Sequence, residues 1–285
     1  MRILAATDFS TRSQRAVRRA GVLARDSGAE LTLVHVVDDD QPSDLVALET
    51  REAERILVEQ IASMAELQGL QVRPLIVAGD PFDGILRAAA SVDTDLVVMG
   101  AHRKQLLRDI LVGTTIERVI RTGPFPVLMV NGEVEQPYRT ALAPVDLSEL
   151  SVNAIRIGMA LGLPSGDRLA LVHAFAALGK GQMFHAGLSS QVIDGYVAEE
   201  RVRATNELAA FLKANGLNDH GQPARVVEEG TPFEVISKAV KQVKPDVLII
   251  GTRGRSGIAK AFLGSVTEEV LRSLDVDILA VPPIR

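Results

Sequence analysis

Short aliphatic runs recur along the chain: LTLVHVV from Leu31, LIVA from Leu75, DLVVMG from Asp95 and PVLMV from Pro126. Between them lie longer stretches in which apolar residues return every three to four positions, such as SDLVALETREAERILVEQIASMAELQ from Ser43. The first pattern predicts buried strands and the second amphipathic helices. Their alternation predicts βαβ units, with mostly parallel strands covered on both faces.

The whole pattern occurs twice. RILAATDFSTRSQRAVRRAGVLARDSGAELTLVHVV from Arg2 aligns with TALAPVDLSELSVNAIRIGMALGLPSGDRLALVHAF from Thr140 at a shift of 138 residues, which brings Asp8 onto Asp146, Ser10 onto Ser148 and His35 onto His173. Further on, GDPFDGIL from Gly79 and DLVVMG align with GTPFEVIS from Gly230 and DVLIIG from Asp246 at a shift of 151. The difference, 13 extra residues, falls between His173 and Gly230 in the second copy. The glycine-rich AALGKGQMFHAGLSSQ, which lacks clear periodicity, is the predicted place for them, as a loop.

Each copy reads β-α-β-α-β-α-β-loop-α-β. The predicted fold is α/β, with two tandem doubly wound (Rossmann-like) domains, each a five-stranded mostly parallel sheet with helices on both faces. The polar NGEVEQPYR from Asn131 reads as a connection, giving domains at 1–131 and 140–285 and a linker at 132–139. The apolar last strands, PVLMV and DILAV from Asp277, would be edges if left alone, and exposed edges are normally paired or covered.

A chain of 285 residues with 47% hydrophobic and 24% charged residues has room for two such cores. The net charge of -5 gives no basic stripe for nucleic acid. The absence of cysteine removes thiolate nucleophiles, disulfides and Cys-based metal sites. MRILAATDFS meets Asp8 too early for a signal-peptide core, and no apolar run approaches the roughly 20 residues of a membrane span. A cytoplasmic protein is expected.

In doubly wound sheets ligands bind beyond the carboxyl ends of the strands, where the winding reverses. In the second copy those ends are Pro144-Val145-Asp146, His173-Ala174 and Ile250-Gly251. After the last of these comes GTRGRSGIAKAFLGS, from Gly251 to Ser265, with Gly251, Gly254 and Gly264, the cations Arg253, Arg255 and Lys260, and no carboxylate. Ser265, followed three residues later by Glu268, predicts a helix N-cap with a capping box. A glycine-lined loop ending at a helix N-terminus offers free N–H groups and a partial positive charge to phosphates.

The spacing Gly251-x2-Gly254-x9-Gly264-Ser265, with strand-end Asp146 and the strand LALVHA, resembles the ATP-binding universal stress proteins, and the doubled chain resembles their tandem form. The resemblance implies that Pro144, Val145 and Asp146 border adenosine, that the Ala174 main chain holds the adenine edge, and that Gly251 lies beneath the ribose, with Ile250 before it counted among the nucleotide-binding residues. It further implies that Gly254, Gly264, Ser265 and Val266 meet the phosphates of ATP, carried with Mg²⁺, through N–H groups and one hydroxyl; the cation Arg253, counted among the nucleotide-binding residues, strengthens that reading. In the family the last strand commonly pairs two domains about a two-fold axis, so the halves are expected to pair as a pseudo-dimer; association of whole chains into a homodimer is left open.

The first copy departs from the pattern. Its loop, GAHRKQLLRDILVGT from Gly100, keeps Asp8, Gly113 and Thr114 but has Arg103 where Gly254 stands. A side chain there would meet an approaching phosphate, and would strain the backbone if Gly254 uses positive φ. One ATP per chain is therefore expected, with another anion conceivable near His102, Arg103 and Lys104. His35 and His173, inside apolar strand ends, read as hydrogen-bonded structural residues. His102, His185 and His220 show no paired metal-ligand spacing.

Two classes of function fit. One is a nucleotide-binding regulatory or stress-survival factor; the alternative is a slow ATPase or another ATP-consuming enzyme of this fold. The chain has no GxxxxGK[ST] motif and no adenylation motif. A flavin-binding electron carrier is a weaker third reading.

Overall fold

The computed structural model describes residues 1–101, 114–134, 136–217, 221–254 and 263–283. Arg103 and Gly113, together with His102, Lys104, His220, Arg255 and Lys260, lie outside the described residues.

The first half runs β1 (Arg2–Ala6), α1 (Thr11–Ser27), β2 (Glu30–Val37), α2 (Ser43–Ser63), β3 (Val72–Ala78), α3 (Pro81–Ser91), β4 (Leu96–Gly100), α4 (Thr115–Thr122) and β5 (Val127–Val130). The second runs β6 (Ala141–Pro144), α5 (Glu149–Ala160), β7 (Leu169–Phe175), α6 (Lys180–His185), α7 (Ser190–Ala214), β8 (Ala224–Glu229), α8 (Pro232–Val243), β9 (Val247–Gly251), α9 (Ser265–Ser273) and β10 (Asp277–Val281). Local chemistry sets several helix ends. Ser10 caps α1 by accepting the Ser13 N–H, and Gly28, at φ 65°, ends it in the left-handed region that glycine favours. Asp80 caps α3 ahead of Pro81, whose missing N–H costs nothing in a first turn.

Within each half the strand order is 3-2-1-4-5 and the pairing is parallel. The halves then join. β5 and β10 pair antiparallel, with Leu128 opposite Leu279, so both sheets fuse into one ten-stranded sheet ordered β3-β2-β1-β4-β5-β10-β9-β6-β7-β8. The predicted pairing of terminal strands is thus the interdomain seam. Alternate residues of β1 serve opposite layers. Ile3 and Ala5 pack with Val17 of α1 and Leu57 of α2, whereas Leu4 and Ala6 pack with Ile85 of α3 and Val119 of α4. The same two layers continue through the second half, with α5 and α7 on one face and α8 and α9 on the other.

A buried clamp flanks the seam. Asp277, at the start of β10, accepts hydrogen bonds from the Asn131 N–H at 2.7 Å, the Gly132 N–H at 2.9 Å and the Tyr138 hydroxyl at 2.6 Å. Arg19 of α1 lies over the Tyr138 ring, 4.0 Å from its centroid, and donates to the Gln136 carbonyl at 2.8 Å. Burial, reinforced by the neighbouring Asp277 charge, pushes the Tyr138 phenol well above its ordinary value, so it remains a donor.

The 13-residue difference corrects one expectation. AALGKGQMFHAGLSSQ is not wholly loop, because Lys180–His185 forms α6, and Ser190 and Gln191 open the 25-residue α7. Leu178 and Phe184 in this segment are exposed, so the apolar period that would have marked a buried face is absent. Among the described residues no helix is long and apolar enough to cross a membrane.

Candidate functional site

Strand order 3-2-1-4-5 places the winding reversal between β6 and β9, and a cavity of about 340 Å³ opens there. Its wall includes all the residues singled out above: Pro144, Val145 and Asp146 beyond β6, Ala174 from β7, Ile250, Gly251, Arg253 and Gly254 at the end of β9, and Gly264, Ser265 and Val266 where α9 begins. Six further lining residues carry no glycine or charge signal in the sequence, Ser151 and Pro232 among them. Val235 and Ile236 of α8 and Val172 of β7 give an apolar side, and Thr267 donates from Oγ1 to the Gly251 carbonyl at 2.8 Å, tying the α9 start to the strand end. The helical period of α8 places Val235 and Ile236 inward, but only the crossover shows that they face this cavity.

The turn carrying Asp146 is held in an uncommon conformation. Asp146 accepts the Ser148 N–H at 3.1 Å and the Ser148 hydroxyl, while Leu147 between them sits at φ 60°. Phe9 sits at φ 62° in the equivalent Asp8-Phe9-Ser10 turn. Two non-glycine residues in the left-handed region, at matching positions, mean that the surrounding bonds over-determine this turn. His173 is one of those constraints, since its Nδ1–H donates to the Val145 carbonyl at 2.7 Å; His35 does the same for Thr7 at 2.8 Å. Both histidines are thereby structural supports of the Asp-bearing turns.

Gly254 is needed for space. It is not at positive φ, which removes the expected strain argument. A Cβ there would instead lie 2.8 Å from Asp146 Oδ2, closer than real Cβ contacts allow. Gly251 is tight as well, its Cβ falling 3.2 Å from the Arg253 carbonyl. The Gly254 main chain and the Asp146 carboxylate are therefore packed together in the cavity wall.

The cap prediction at Ser265 requires correction, and the correction is informative. The N-cap of α9 is Gly264 and Ser265 is the first helical residue; no side chain caps this end. The Glu268 N–H is taken by the Gly264 carbonyl at 2.9 Å, and the Glu268 carboxylate turns to Arg272 at 2.8 Å. The N–H groups of Ser265, Val266 and Thr267 and the Ser265 hydroxyl have no hydrogen-bond partner among the described residues. A side-chain capping box does form in the first domain. There the Thr114 N–H donates to Glu117 at 3.2 Å and the Glu117 N–H to the Thr114 hydroxyl at 3.3 Å. Starting the helix one residue earlier is what frees the second-domain donors.

The first domain has an equivalent cavity of about 280 Å³, lined by Asp8, Ser10, Arg12, His35, Gly100, Thr114 and Thr115 among others. Burial raises the Asp8 pKa, but hydrogen bonds from the Ser10 and Ser13 side chains and the Ser10 N–H outweigh it and hold the carboxyl below its ordinary value. Among the described residues no cluster of three His, Asp or Glu is placed to hold a metal ion.

A doubly wound α/β protein with a cavity at each switch point is the class that this fold and these sites define. Within that class, the universal stress protein family model matches residues 1–131 and again 137–282. The chain belongs to the universal stress protein family, in its tandem two-domain form. It is 27% identical over 210 residues to universal stress protein E of Escherichia coli, a match covering 71% of this chain and 65% of that protein. It is 30% identical over 137 residues to a universal stress protein of Methanocaldococcus jannaschii, covering 45% of this chain and 81% of that one. The solved universal stress protein from Archaeoglobus fulgidus shares the fold over 99% of this chain and 98% of its own, with a TM-score of 0.72 at 18% identity.

Proposed function

We propose that the chain is an ATP-binding universal stress protein acting as a regulatory or stress-survival factor, with one nucleotide held in the second of its domains, 140–285. The contrast between the two helix N-termini carries this reading. In the second domain three successive N–H groups and the Ser265 hydroxyl face a cavity without an internal acceptor, in the arrangement that favours phosphate. In the first domain the equivalent hydroxyl accepts the Glu117 N–H and the Glu117 carboxylate accepts the Thr114 N–H.

The residues present fit the ligand. Val172, Val235, Ile236 and Ile250 supply apolar surface for a base, and Asp146 supplies an acceptor for sugar hydroxyls or an exocyclic amine. The main chain at Gly254, Gly264, Ser265 and Val266 faces the phosphate end, with Arg253 beside it. Mg²⁺ would be carried on the phosphates, since it keeps most of its waters and rarely needs a protein cage. Occupancy would then alter the surface offered to a partner.

Mass spectrometry of small molecules released from the purified protein, followed by isothermal titration with Mg·ATP, tests the reading. The expected result is one ATP per chain, lost in Asp146→Ala. No binding, or two equivalent sites, would overturn it.

A further inference from the structure

The ten-stranded sheet ends in β3 on one side and β8 on the other, and these two outer strands are finished differently. Along a strand the main-chain groups of successive residues point alternately toward and away from the neighbouring strand. The Gly79 N–H donates to the Val37 carbonyl and the Gly230 N–H to the Phe175 carbonyl, both inward, which fixes the phase at each edge. Pro74, Ile76 and Ala78 of β3 and Arg225, Val227 and Glu229 of β8 therefore turn their main-chain groups outward. Pro74 leaves the first-domain edge without a donor where an incoming strand would need one. At the shift of 151 residues that sets Gly79 on Gly230, its counterpart is Arg225, so β8 has a main-chain N–H at every outward position. Those of Val227 and Glu229 have no hydrogen-bond partner among the described residues, and no residue of β8 is fully buried.

The strand ARVVEE also carries its own complement. Antiparallel pairing of two copies about a two-fold axis through Val227 sets Arg225 of each against Glu229 of the other and Val227 against Val227, with the outward main-chain groups facing one another. Neighbouring registers lose the charge match. An axis through Val226 puts Arg225 opposite Val227, and one through Glu228 puts Glu229 opposite Val227. Glu229 already holds Lys180 at 2.8 Å, so the incoming guanidinium would meet a carboxylate fixed at the strand end. We propose that β8 is a self-association surface, through which two copies of the chain join their sheets edge to edge in antiparallel register about Val227. The partner is a second copy because the strand's charges answer each other only across that axis. β3, blunted by Pro74, cannot form the equivalent ladder.

Sedimentation equilibrium of the full chain over a range of concentrations tests this. The wild type is expected to form a concentration-dependent dimer. Arg225→Pro, which gives β8 the residue that β3 has, should leave a monomer, with far-ultraviolet circular dichroism and the unfolding midpoint, both read where the wild type is also monomeric, checking the fold. The charges provide a second test that does not depend on how β8 tolerates proline. Glu229→Arg sets like charges opposite each other and should weaken the dimer by roughly tenfold or more, and adding Arg225→Glu to the same chain should restore it. A wild type that stays monomeric at its highest soluble concentration, whether or not its edge takes up an extended peptide, would overturn the proposal. So would a dimer that survives Arg225→Pro, or a charge exchange that fails to restore pairing.

Discussion

Arg19 Nε lies 3.5 Å from Asp277 Oδ2, and the two side chains, from different domains, are 6% and 3% exposed. The pair is too long for a good hydrogen bond at Nε, but Arg19 also donates to the Gln136 carbonyl and stacks on Tyr138, while Asp277 gathers the Asn131 and Gly132 N–H groups. The connection between domains is thereby fixed from both sides. Removing the carboxylate leaves a buried cation and three donors without their acceptor. Asp277→Ala is expected to lower stability by about 3–5 kcal/mol, measured by urea unfolding of the whole chain. A loss below about 1 kcal/mol would show that the clamp contributes little.

Gly254→Arg places in the second domain the residue type that the first has at Arg103. The side chain must push Asp146 aside and take space before the α9 N-terminus. Losing two charge-assisted hydrogen bonds at about 1.5–3 kcal/mol each weakens ATP binding by roughly two to four powers of ten. The unfolding midpoint without nucleotide should barely move, because Gly254 is only partly buried. Isothermal titration at undiminished affinity would reduce the glycine to a turn residue.

Asp8 gives a pH dependence with a defined sign. Its folded pKa is depressed, so its ionisation favours the folded state at neutral pH, and this contribution is lost as pH falls below the ordinary carboxylate value and through the lower folded one. Asp8→Asn should therefore be less stable than wild type near pH 7, with the gap closing below about pH 4. Unfolding midpoints measured across that range decide it; a gap that persists at low pH would point to lost hydrogen bonds alone.

The segment around α6 follows Ala174 and so leaves the sheet at the ligand edge. Leu178 and Phe184 are exposed, and the anchors are limited: Lys180 pairs with Glu229 at 2.8 Å and the Gly179 N–H donates to the Tyr196 hydroxyl at 3.1 Å. Amide exchange in 178–189 is expected to be much faster than in β7 without nucleotide and to slow when ATP is added. Equal, strong protection in both states would contradict this.

The doubling of the chain, the succession of strands and helices within each half and the residues of the cavity wall were legible because they rest on period-2 and period-3.6 apolar patterns and on glycine and aspartate at strand ends. Three features were hidden for physical reasons. The capping residues of GTTIE and GSVTE are nearly identical, so whether Thr114 or Ser265 caps depends on where the preceding loop delivers the helix. Gly254 announces conformational freedom in sequence, whereas its actual constraint is the position of Asp146, over a hundred residues earlier. Arg19 carries no signal of its own in the sequence, since its partners at Tyr138 and Asp277 become neighbours only when β5 and β10 pair.

The seam between β5 and β10 also decides what the halves can recognise. At the place equivalent to Asp277 the first domain has Pro126, and at the place equivalent to Arg19 the second has Ile157. Two second domains pairing through β10 would bury two carboxylates without a guanidinium, and two first domains would bury two guanidinium groups without a carboxylate. Each half is thus a lock for the other and rejects its own image. A repeat that began as self-pairing would, by this exchange of one residue on each side, have come to favour pairing of unlike halves over pairing of like ones.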